Sequence, residues 1–313
     1  MRWINPYLEE GNWYKGNMHT HSKVSDGELE LNEVISAYKR MGEHDFIVVT
    51  DHTIGTHPNK FTPITDLQEK YKDKQFTIIE GREESFGRHI LGIGVPMIFD
   101  QDIIKKPSEE YTLFDYQKII NHIKSEGGLA YLPHPHWLHF DYWTAEQILM
   151  LENVDGFELF NGDRFNGPAN LASDVWDAVL SNGKQLFAVA NDDFHNPATF
   201  LHAWNYVYAK SNSKEDILDA LKHGSSYCSN GAEFEYIKVD GDRIIVECSH
   251  KSIYQNTIKF FRFVGKDGEC LSLQSGKNGY AEYKAMGDET YIRVEMTLNW
   301  GMSAFTQAFF LEK

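Results

Sequence analysis

The sequence predicts an α/β protein in which a β/α barrel is followed by a small antiparallel β domain. Apolar runs rich in β-branched residues alternate with amphipathic helical patterns as far as about residue 225. This alternation is typical of a parallel sheet covered by helices, and the strand count suits a barrel. From about Ser229 onward, short alternating stretches take the place of helices, which indicates antiparallel strands. An open doubly wound sheet is the alternative for the first part.

The predicted barrel strands are short apolar runs of the kind that lie buried on both faces of a sheet. They span 45–50, 75–80, 89–95, 129–133, 156–160, 185–190 and 204–209, and an earlier strand ends at His19-Thr20-His21. The predicted helices between them span 31–41, 114–126, 144–152, 171–182 and 213–223. Thr144 to Gln147 reads as a capping box and Ser213 as an N-cap, which places two of the helix starts.

The predicted β domain covers residues 229–313, and the barrel domain covers residues 1–228. The alternating stretches of the β domain span 233–239, 243–248, 257–264, 289–296 and 304–311. The turn pairs Asp240-Gly241 and Asp267-Gly268 separate some of these stretches. No helix and no internal repeat is predicted in this part of the sequence.

Composition and charge exclude several classes of function. The formal net charge of the 313 residues is −16, and no block of like charges occurs, which argues against nucleic acid as a partner. The three cysteines form no CxxC pair, so a disulfide framework or a thiolate zinc site is not expected. The polar N-terminus is no signal peptide and no apolar run reaches roughly 18 residues. We expect a cytoplasmic protein without a membrane partner, and the sequence leaves its oligomeric state open.

Histidine and carboxylate residues stand at the ends of nearly all the predicted strands. His19 and His21 have i, i+2 spacing, which places both imidazoles on one face of a strand. The other strand-end groups are Asp51, His52, Glu80, His89, His134, Asp192, Asp193 and His195, and Asp26 lies in a Ser-Asp-Gly turn. Barrel enzymes build their active sites at this edge. Nitrogen and oxygen ligands without cysteine suit zinc, manganese or iron, and their number predicts several ions that activate water.

Five motifs together resemble the polymerase and histidinol phosphatase (PHP) superfamily of metallohydrolases. They are HTHSKVSDG, TDH, a strand-end Glu followed by HILG, a strand-end His, and D-x-H. The stretch SKEDILDALKHGSSYCSNG, followed by a β segment, resembles the CehA/McbA-type branch more narrowly. The resemblance covers about residues 13 to 230. It implies a distorted seven-stranded β/α barrel of the PHP type that holds two or three divalent metal ions.

The resemblance also implies which residues hold each ion. The first ion would have His19, His21, Glu80 and Asp193; the second would share Glu80 and add His89 and His134; the third would have Asp26, His52 and His195. Asp51 and Asp192 would orient imidazoles from behind, although a plain turn or cap role is an equal alternative for each. Filling of the third position is left open.

Further candidates lie near these motifs. His136 is a candidate proton donor, and Arg164, Asn161 and Arg88 are candidate substrate-binding residues, with Arg82 in a similar position. Each has a plain structural alternative as a solvated loop residue or a strand terminator. The aromatic residues Trp137, Phe140, Tyr142 and Trp143 line a pocket or pack a loop.

Three functions follow from this reading. The first is a metal-dependent phosphoesterase that attacks a small, anionic phosphorylated substrate with a hydroxide bridging the ions. The second is a metal-dependent hydrolase of a carbamate or carboxylic ester, and the third is a binding protein whose metals are structural. Three divalent ions and three carboxylates give the pocket a charge of about +3, so a phosphate could bind inside this acidic protein. The bond that is cleaved and the metal identity stay open.

Overall fold

The computed structural model describes residues 2–53, 76–95, 107–137, 142–163, 171–276 and 278–312. Helices and strands alternate through the first part, as expected. The α-helices of these ranges are α1 (Leu31–Arg40), α2 (Leu113–Ser125), α3 (Ala145–Met150), α4 (Ser173–Ser181) and α5 (Lys214–Lys222). None of them has the length and apolar character that a membrane crossing requires.

The strands divide into those before and those after residue 229. The first group is β1 (Arg2–Ile4), β2 (Asn12–Asn17), β3 (Phe46–Val49), β4 (Thr77–Phe86), β5 (Arg88–Ile93), β6 (Leu129–Leu132), β7 (Gly156–Asn161), β8 (Phe187–Asn191), β9 (Trp204–Ala209) and β10 (Ser226–Ser229). The second group is β11 (Phe234–Asp240), β12 (Arg243–Cys248), β13 (Lys259–Val264), β14 (Cys270–Ser275), β15 (Tyr280–Lys284), β16 (Tyr291–Leu298), β17 (Ser303–Thr306) and β18 (Phe309–Glu312).

The central sheet is mixed and mostly parallel. Strands β2, β3 and β4 pair in parallel, as do β6, β7 and β8, while β5 lies antiparallel between β4 and β6. One core cluster gathers side chains from β3 to β6 together with side chains from β8 and β9, so both ends of the strand path contribute to the same core. The mixed α/β class is confirmed, and closure of the path into a barrel stays a prediction.

The helices begin at capping residues and end near glycines that the sequence provides. The Glu30 and Glu33 side chains form a capping box at the start of α1, and Thr112 and Asp115 form one at the start of α2. These boxes satisfy amide groups that have no partner within the helix. Gly127 after α2 has φ +85, a conformation that glycine adopts without strain. Helix placement therefore follows the predicted spans to within a few residues.

The later strands form antiparallel pairs, as predicted. β11, β12 and β15 make a three-stranded sheet, while β13, β16 and β17 continue the larger sheet through β10. β1 pairs with β18, so the first residues lie beside the last ones. Strands therefore pair across the predicted boundary at 228/229, and the division into two domains stays a prediction. The predicted run 304–311 is two strands, and β1, β10, β14 and β15 had no prediction.

Candidate metal centre

Two chain segments bring four of the predicted ligands together. Thr20, between His19 and His21, forms a parallel bridge with Phe194. The His21 amide donates to the Phe194 carbonyl at 2.8 Å, and the Phe194 amide donates to the His19 carbonyl at 3.2 Å. This pairing holds the two imidazoles beside Asp193 and His195, which flank Phe194 on their own segment.

His19, His21 and Asp193 form the most buried group. The Asp193 Oδ1 atom lies 3.1 Å from His19 Nε2 and 3.3 Å from His21 Nε2. All three residues are buried, and their ligand atoms lie within 4.8 Å of one another. Two imidazole nitrogens and a carboxylate oxygen that converge in this way can hold a divalent ion such as zinc or manganese.

Glu83 lies at the middle of the cluster and faces both sides of it. Its Oε2 atom lies 3.2 Å from His19 Nε2, 3.2 Å from His21 Nε2 and 3.1 Å from His52 Nδ1. Its Oε1 atom lies 2.8 Å from His89 Nδ1 and 3.2 Å from His134 Nε2. One carboxylate thus presents each of its oxygens to a different set of imidazoles, which is the arrangement that a carboxylate shared by two ions requires.

A third group, His21, Asp26, His52 and His195, surrounds a more open position. Asp26 Oδ2 lies 3.5 Å from His52 Nε2, and Asp26 Oδ1 lies 3.5 Å from His195 Nε2. The imidazole rings of His52 and His195 each stack on His21, with centroids 4.4 and 4.2 Å away. The three ligands expected of the third ion are therefore neighbours, and Asp26 at 43% exposure opens this side to solvent.

Orphaned polar atoms show that the cluster fits metal ions. His19 Nε2, His21 Nε2, His134 Nδ1 and Asp193 Oδ1 are buried without a hydrogen-bond partner among the described residues. A buried polar atom without a partner is costly. Three of these four atoms point into the group of His19, His21 and Asp193, where an ion would satisfy them together.

Charge coupling within the cluster shifts several pKa values. Burial opposes protonation of His21, but the adjacent carboxylates of Asp193 and Glu83 outweigh it and raise its pKa to about 10. The pKa of His19 is likewise raised well above its ordinary value, against burial, by Asp193 and Glu83. The neighbouring imidazoles overcome burial at both carboxyl groups and hold the pKa values of Glu83 and Asp193 well below their ordinary range. Without metal, the site therefore pairs carboxylates with protonated imidazoles.

Glu80 does not join this cluster, and Glu83 takes the place that the resemblance implied for it. Glu80 instead forms an ion pair with Lys214 at the start of α5. The reason is that β4 continues to Phe86 rather than ending at Glu80. Side chains alternate between the faces of a strand, so residues three apart point to opposite sides. The other eight predicted ligands lie in or beside the cluster.

Asp51 and Asp192 are buried carboxylates that organise loops. Asp51 accepts hydrogen bonds from the amide and hydroxyl of Ser22 and from the hydroxyl of Ser25. Asp192 accepts from the Tyr38 hydroxyl and from the amides of 201–203, and burial raises its pKa to about 6 despite these bonds. Among the described residues, neither carboxylate contacts an imidazole directly, so the structure gives no direct imidazole contact for the predicted orienting role.

The carboxylate behind His19 is Glu158, which the sequence-based ligand and positioning assignments missed. Its Oε1 atom accepts from His19 Nδ1 at 2.7 Å. The signal was a charged residue inside the apolar strand Gly156–Asn161. The amide nitrogen of Asn161, a predicted substrate-binding group, is engaged with Glu158 and Asp193 at 2.7 and 3.2 Å.

The remaining candidates separate into those near the cluster and those away from it. The Arg88 guanidinium lies over the Trp143 ring at 5.4 Å, on the face of β5 opposite His89, while Arg82 pairs with Glu84 and Glu126. His136 is buried with Nε2 3.3 Å from Asp174. Arg164 and Phe140 lie outside the described residues.

Two aromatic side chains border the cluster. The Trp137 ring centroid lies 5.2 Å from that of His89 and 5.0 Å from that of His134. Tyr142 lies 5.2 Å from His134, and its hydroxyl accepts a hydrogen bond from the His89 amide. These rings form a wall beside the Glu83 Oε1 side of the cluster, and Trp143 is buried in the core behind it.

Comparison with solved structures identifies the fold. The chain is similar to a two-domain protein from Bacteroides vulgatus that contains a predicted PHP-like metal-dependent phosphoesterase, with a TM-score of 0.57, 16% identity, and coverage of 95% of this chain and 94% of that one. It is also similar to a proposed metal-dependent phosphoesterase from Bifidobacterium adolescentis, with a TM-score of 0.41, 14% identity, and coverage of 60% and 90%. No protein-family model and no curated protein matches the sequence. The likeness to the first structure supports the PHP resemblance at the level of fold, and the CehA/McbA branch stays a prediction.

Proposed function

We propose that this chain, which is similar in fold to a protein that contains a predicted PHP-like domain, is a metal-dependent phosphoesterase that acts on a small phosphorylated substrate. The observation that carries the proposal is the position of Glu83 between two sets of imidazoles. A carboxylate shared by two ions is the core of two-metal hydrolytic sites. When bound, the ions would activate water and neutralise charge on the ester under attack.

The side chains of this site have separate tasks in the proposed reaction. His19, His21 and Asp193 hold one ion position, and His89 and His134 with Glu83 hold the neighbouring one. Asp26, at the solvent side with His52 and His195, borders the third position, where a phosphate would enter. In this division, His19, His21 and Asp193 lie farthest from solvent, and the group around Asp26 is accessible to substrate.

Charge in the site favours an anionic substrate despite the acidic protein. Asp26, Glu83 and Asp193 are the carboxylates among the proposed ligands, and neutral imidazoles add no charge. Two or three divalent ions would therefore leave a local charge of about +1 to +3. A phosphate ester is attracted to such a pocket even though the whole chain carries −16.

The aromatic wall favours a second candidate, a metal-dependent hydrolase of a carbamate or carboxylic ester. Trp137 and Tyr142 lie against the imidazoles of His89 and His134. An apolar ring in this position suits a substrate with a planar, uncharged group. The same ions would activate water for either bond, so the second candidate differs from the first in substrate and not in the metal site.

A substrate panel separates the candidates. Protein reconstituted with manganese or zinc is assayed on phosphomonoesters, phosphodiesters, carbamates and carboxylic esters. His21→Ala removes a ligand shared by two groups, and His223→Ala removes an exposed histidine as the matched control. Turnover of phosphate esters that His21→Ala abolishes and His223→Ala retains supports the phosphoesterase. Turnover of carbamates or carboxylic esters alone replaces it with the second candidate, and no turnover by metal-loaded protein contradicts both.

A further inference from the structure

Glu158 is a buried carboxylate whose acceptor positions are all in use. Its Oε1 atom accepts from His19 Nδ1 at 2.7 Å and from the Asn191 amide nitrogen at 2.9 Å. Its Oε2 atom accepts from the His134 backbone amide at 2.9 Å and from the Asn161 amide nitrogen at 2.7 Å. A carboxylate has about four lone-pair positions. Glu158 is therefore saturated and is not available as a metal ligand itself.

The bond to His19 determines which ring nitrogen is free. A carboxylate with no proton can only accept, so His19 must carry its proton on Nδ1. In the neutral form that binds metal, Nε2 therefore presents its lone pair to the cluster, where it lies 3.1 Å from Asp193 Oδ1 and 3.2 Å from Glu83 Oε2. This is the tautomer and ring orientation that a metal at this position needs.

The hydrogen bond from the His134 amide to Glu158 positions a residue on the other side of Glu83, where His89 and His134 lie. His134 follows β6 with φ +35, in the left-handed region that non-glycine residues rarely adopt. Glu158 Oε2 holds the amide of this strained residue, and the imidazole of the same residue faces Glu83 Oε1. One side chain of β7 therefore fixes a ligand on each side of Glu83.

We propose that Glu158 is a positioning residue that fixes the His19 tautomer and the His134 backbone together and so sets the metal affinity of both neighbouring positions. The proposal rests on the proposed function only in placing ions at the cluster. It names no substrate, and it holds for either hydrolytic reaction.

Metal affinity in the Glu158→Gln variant tests the proposal. Glutamine keeps the shape but turns an amide NH2 toward two of the four donors. We expect zinc or manganese binding, measured by competition with a chelator, to weaken about 10–100-fold. Asp177→Asn is the matched control, because Asp177 is a buried carboxylate paired with Arg293 away from the cluster, and it should bind metal as the wild type does. A Glu158→Gln affinity within about threefold of wild type would overturn the proposal.

A spectroscopic measurement on the wild-type protein keeps the proposal testable if Glu158→Gln does not fold. Long-range ¹H–¹⁵N spectra of zinc-loaded protein report which nitrogen of each imidazole carries the proton, and His19→Ala identifies the His19 signals. We expect His19 to be protonated at Nδ1 and coordinated through Nε2. Coordination through Nδ1, or a proton on Nε2, would overturn the proposal.

The outcomes separate this inference from the proposed function. Affinity and tautomer are measured without substrate. Wild-type protein that binds zinc in the expected tautomer but cleaves no phosphate ester overturns the phosphoesterase and leaves the role of Glu158 standing. Phosphate ester hydrolysis by the wild type, together with unchanged metal affinity in Glu158→Gln, supports the phosphoesterase and overturns the role of Glu158. Wild-type protein that binds neither zinc nor manganese overturns both proposals.

Discussion

Glu83 pairs with His52 across neighbouring parallel strands, and this pairing places the central carboxylate of the site. β3 and β4 run in register with Val49 opposite Glu80, and three residues further the same register puts His52 opposite Glu83. The Thr53 amide donates to the Glu83 carbonyl at 3.0 Å and continues the ladder. The imidazole that follows β3 is therefore fixed beside the carboxylate in the second half of β4.

Glu83→Gln should remove metal from the cluster, whereas Glu80→Gln should not. Glu83 contacts imidazoles of both groups that it separates, so its loss affects two ion positions and should exceed the roughly 10–100-fold typical of groups behind the ligands. Glu80→Gln loses a partly exposed pair with Lys214, worth about 0–1 kcal/mol. Metal content after dialysis, measured by elemental analysis, checks both variants. Equal metal loss in the two would contradict the placement of Glu83.

Metal should stabilise the protein. Nε2 of His19, Nε2 of His21 and Oδ1 of Asp193 are buried and converge on one position, where an ion would bind all three. An ion present at 1,000 times its Kd raises the free energy of unfolding by about 4 kcal/mol. Thermal unfolding of chelator-treated protein, repeated after zinc or manganese is restored, measures the shift in Tm. An unchanged Tm would show that the ions do not bind the folded cluster, and magnesium at equal ionic strength is the control for a general salt effect.

Metal binding should release protons at pH 7. The pKa of His21 is raised to about 10 and that of His19 is raised well above its ordinary value, so both imidazoles hold protons that an ion must displace. Calorimetric titration in two buffers of different ionisation enthalpy should give different apparent enthalpies of binding. Identical enthalpies would show that no proton leaves.

The same pKa shift predicts how pH affects the metal-free protein. A raised imidazole pKa contributes stability that is present below about pH 6.5, the ordinary histidine value, and is lost as pH rises. For His21 this loss extends to about pH 10. The free energy of unfolding without metal should therefore fall across this window, as chemical denaturation at several pH values would measure, and metal-loaded protein is the comparison.

Strand ends were predictable from the sequence where apolar runs end cleanly. His134, Asp193 and His195 follow runs whose last apolar residue is evident, and His19 and His21 have the i, i+2 spacing of one strand face. Each strand-end side chain then lies at the same edge of the sheet, because parallel strands share the direction of their carboxyl ends. Five of the candidate ligands could be placed by these two arguments.

The central carboxylate, Glu83, could not be placed in the same way. The apolar run of β4 gives way to Gly81-Arg82-Glu83-Glu84, which predicts a strand end. The strand continues because residues 81–86 pair with β5 in an antiparallel ladder. Arg82 is charge-paired with Glu84 and Glu126 on the face opposite Glu83. Pairing with the following strand and an ion pair to a residue as distant as Glu126 leave no periodic signal in a single sequence. The role of Glu158 was hidden for the same reason, since its four donors come from four separate segments.

Trp137→Ala should change substrate selectivity without changing metal affinity. The indole borders His89 and His134 but supplies no ligand. Loss of a stacked ring should raise KM for substrates with a planar group by about 2–12-fold, since such contacts contribute about 0.5–1.5 kcal/mol. The comparison needs kcat and KM for a planar and a non-planar ester of the same class, with chelator competition for the metal. An equal effect on both esters would contradict a stacking role.

Arg293→Met should destabilise the protein, because it breaks an ion pair that joins α4 to β16. Arg293 donates to both oxygens of Asp177 at 2.8 and 2.7 Å and also bonds Glu295. The arginine side chain is only 2% exposed. Removing one partner of a buried pair costs about 3–5 kcal/mol, because the remaining charge stays buried without its partner.

A double-mutant cycle separates this pair from simple loss of packing. Asp177→Leu alone leaves Arg293 with Glu295, while Asp177→Leu with Arg293→Met removes both charges. We expect the double variant to be less destabilised than the sum of the single variants, because the second change removes the unpaired charge that the first one leaves. Chemical denaturation gives the three free energies of unfolding. Additive effects would contradict a coupled pair, and metal affinity should stay unchanged in all three because neither residue contacts the cluster.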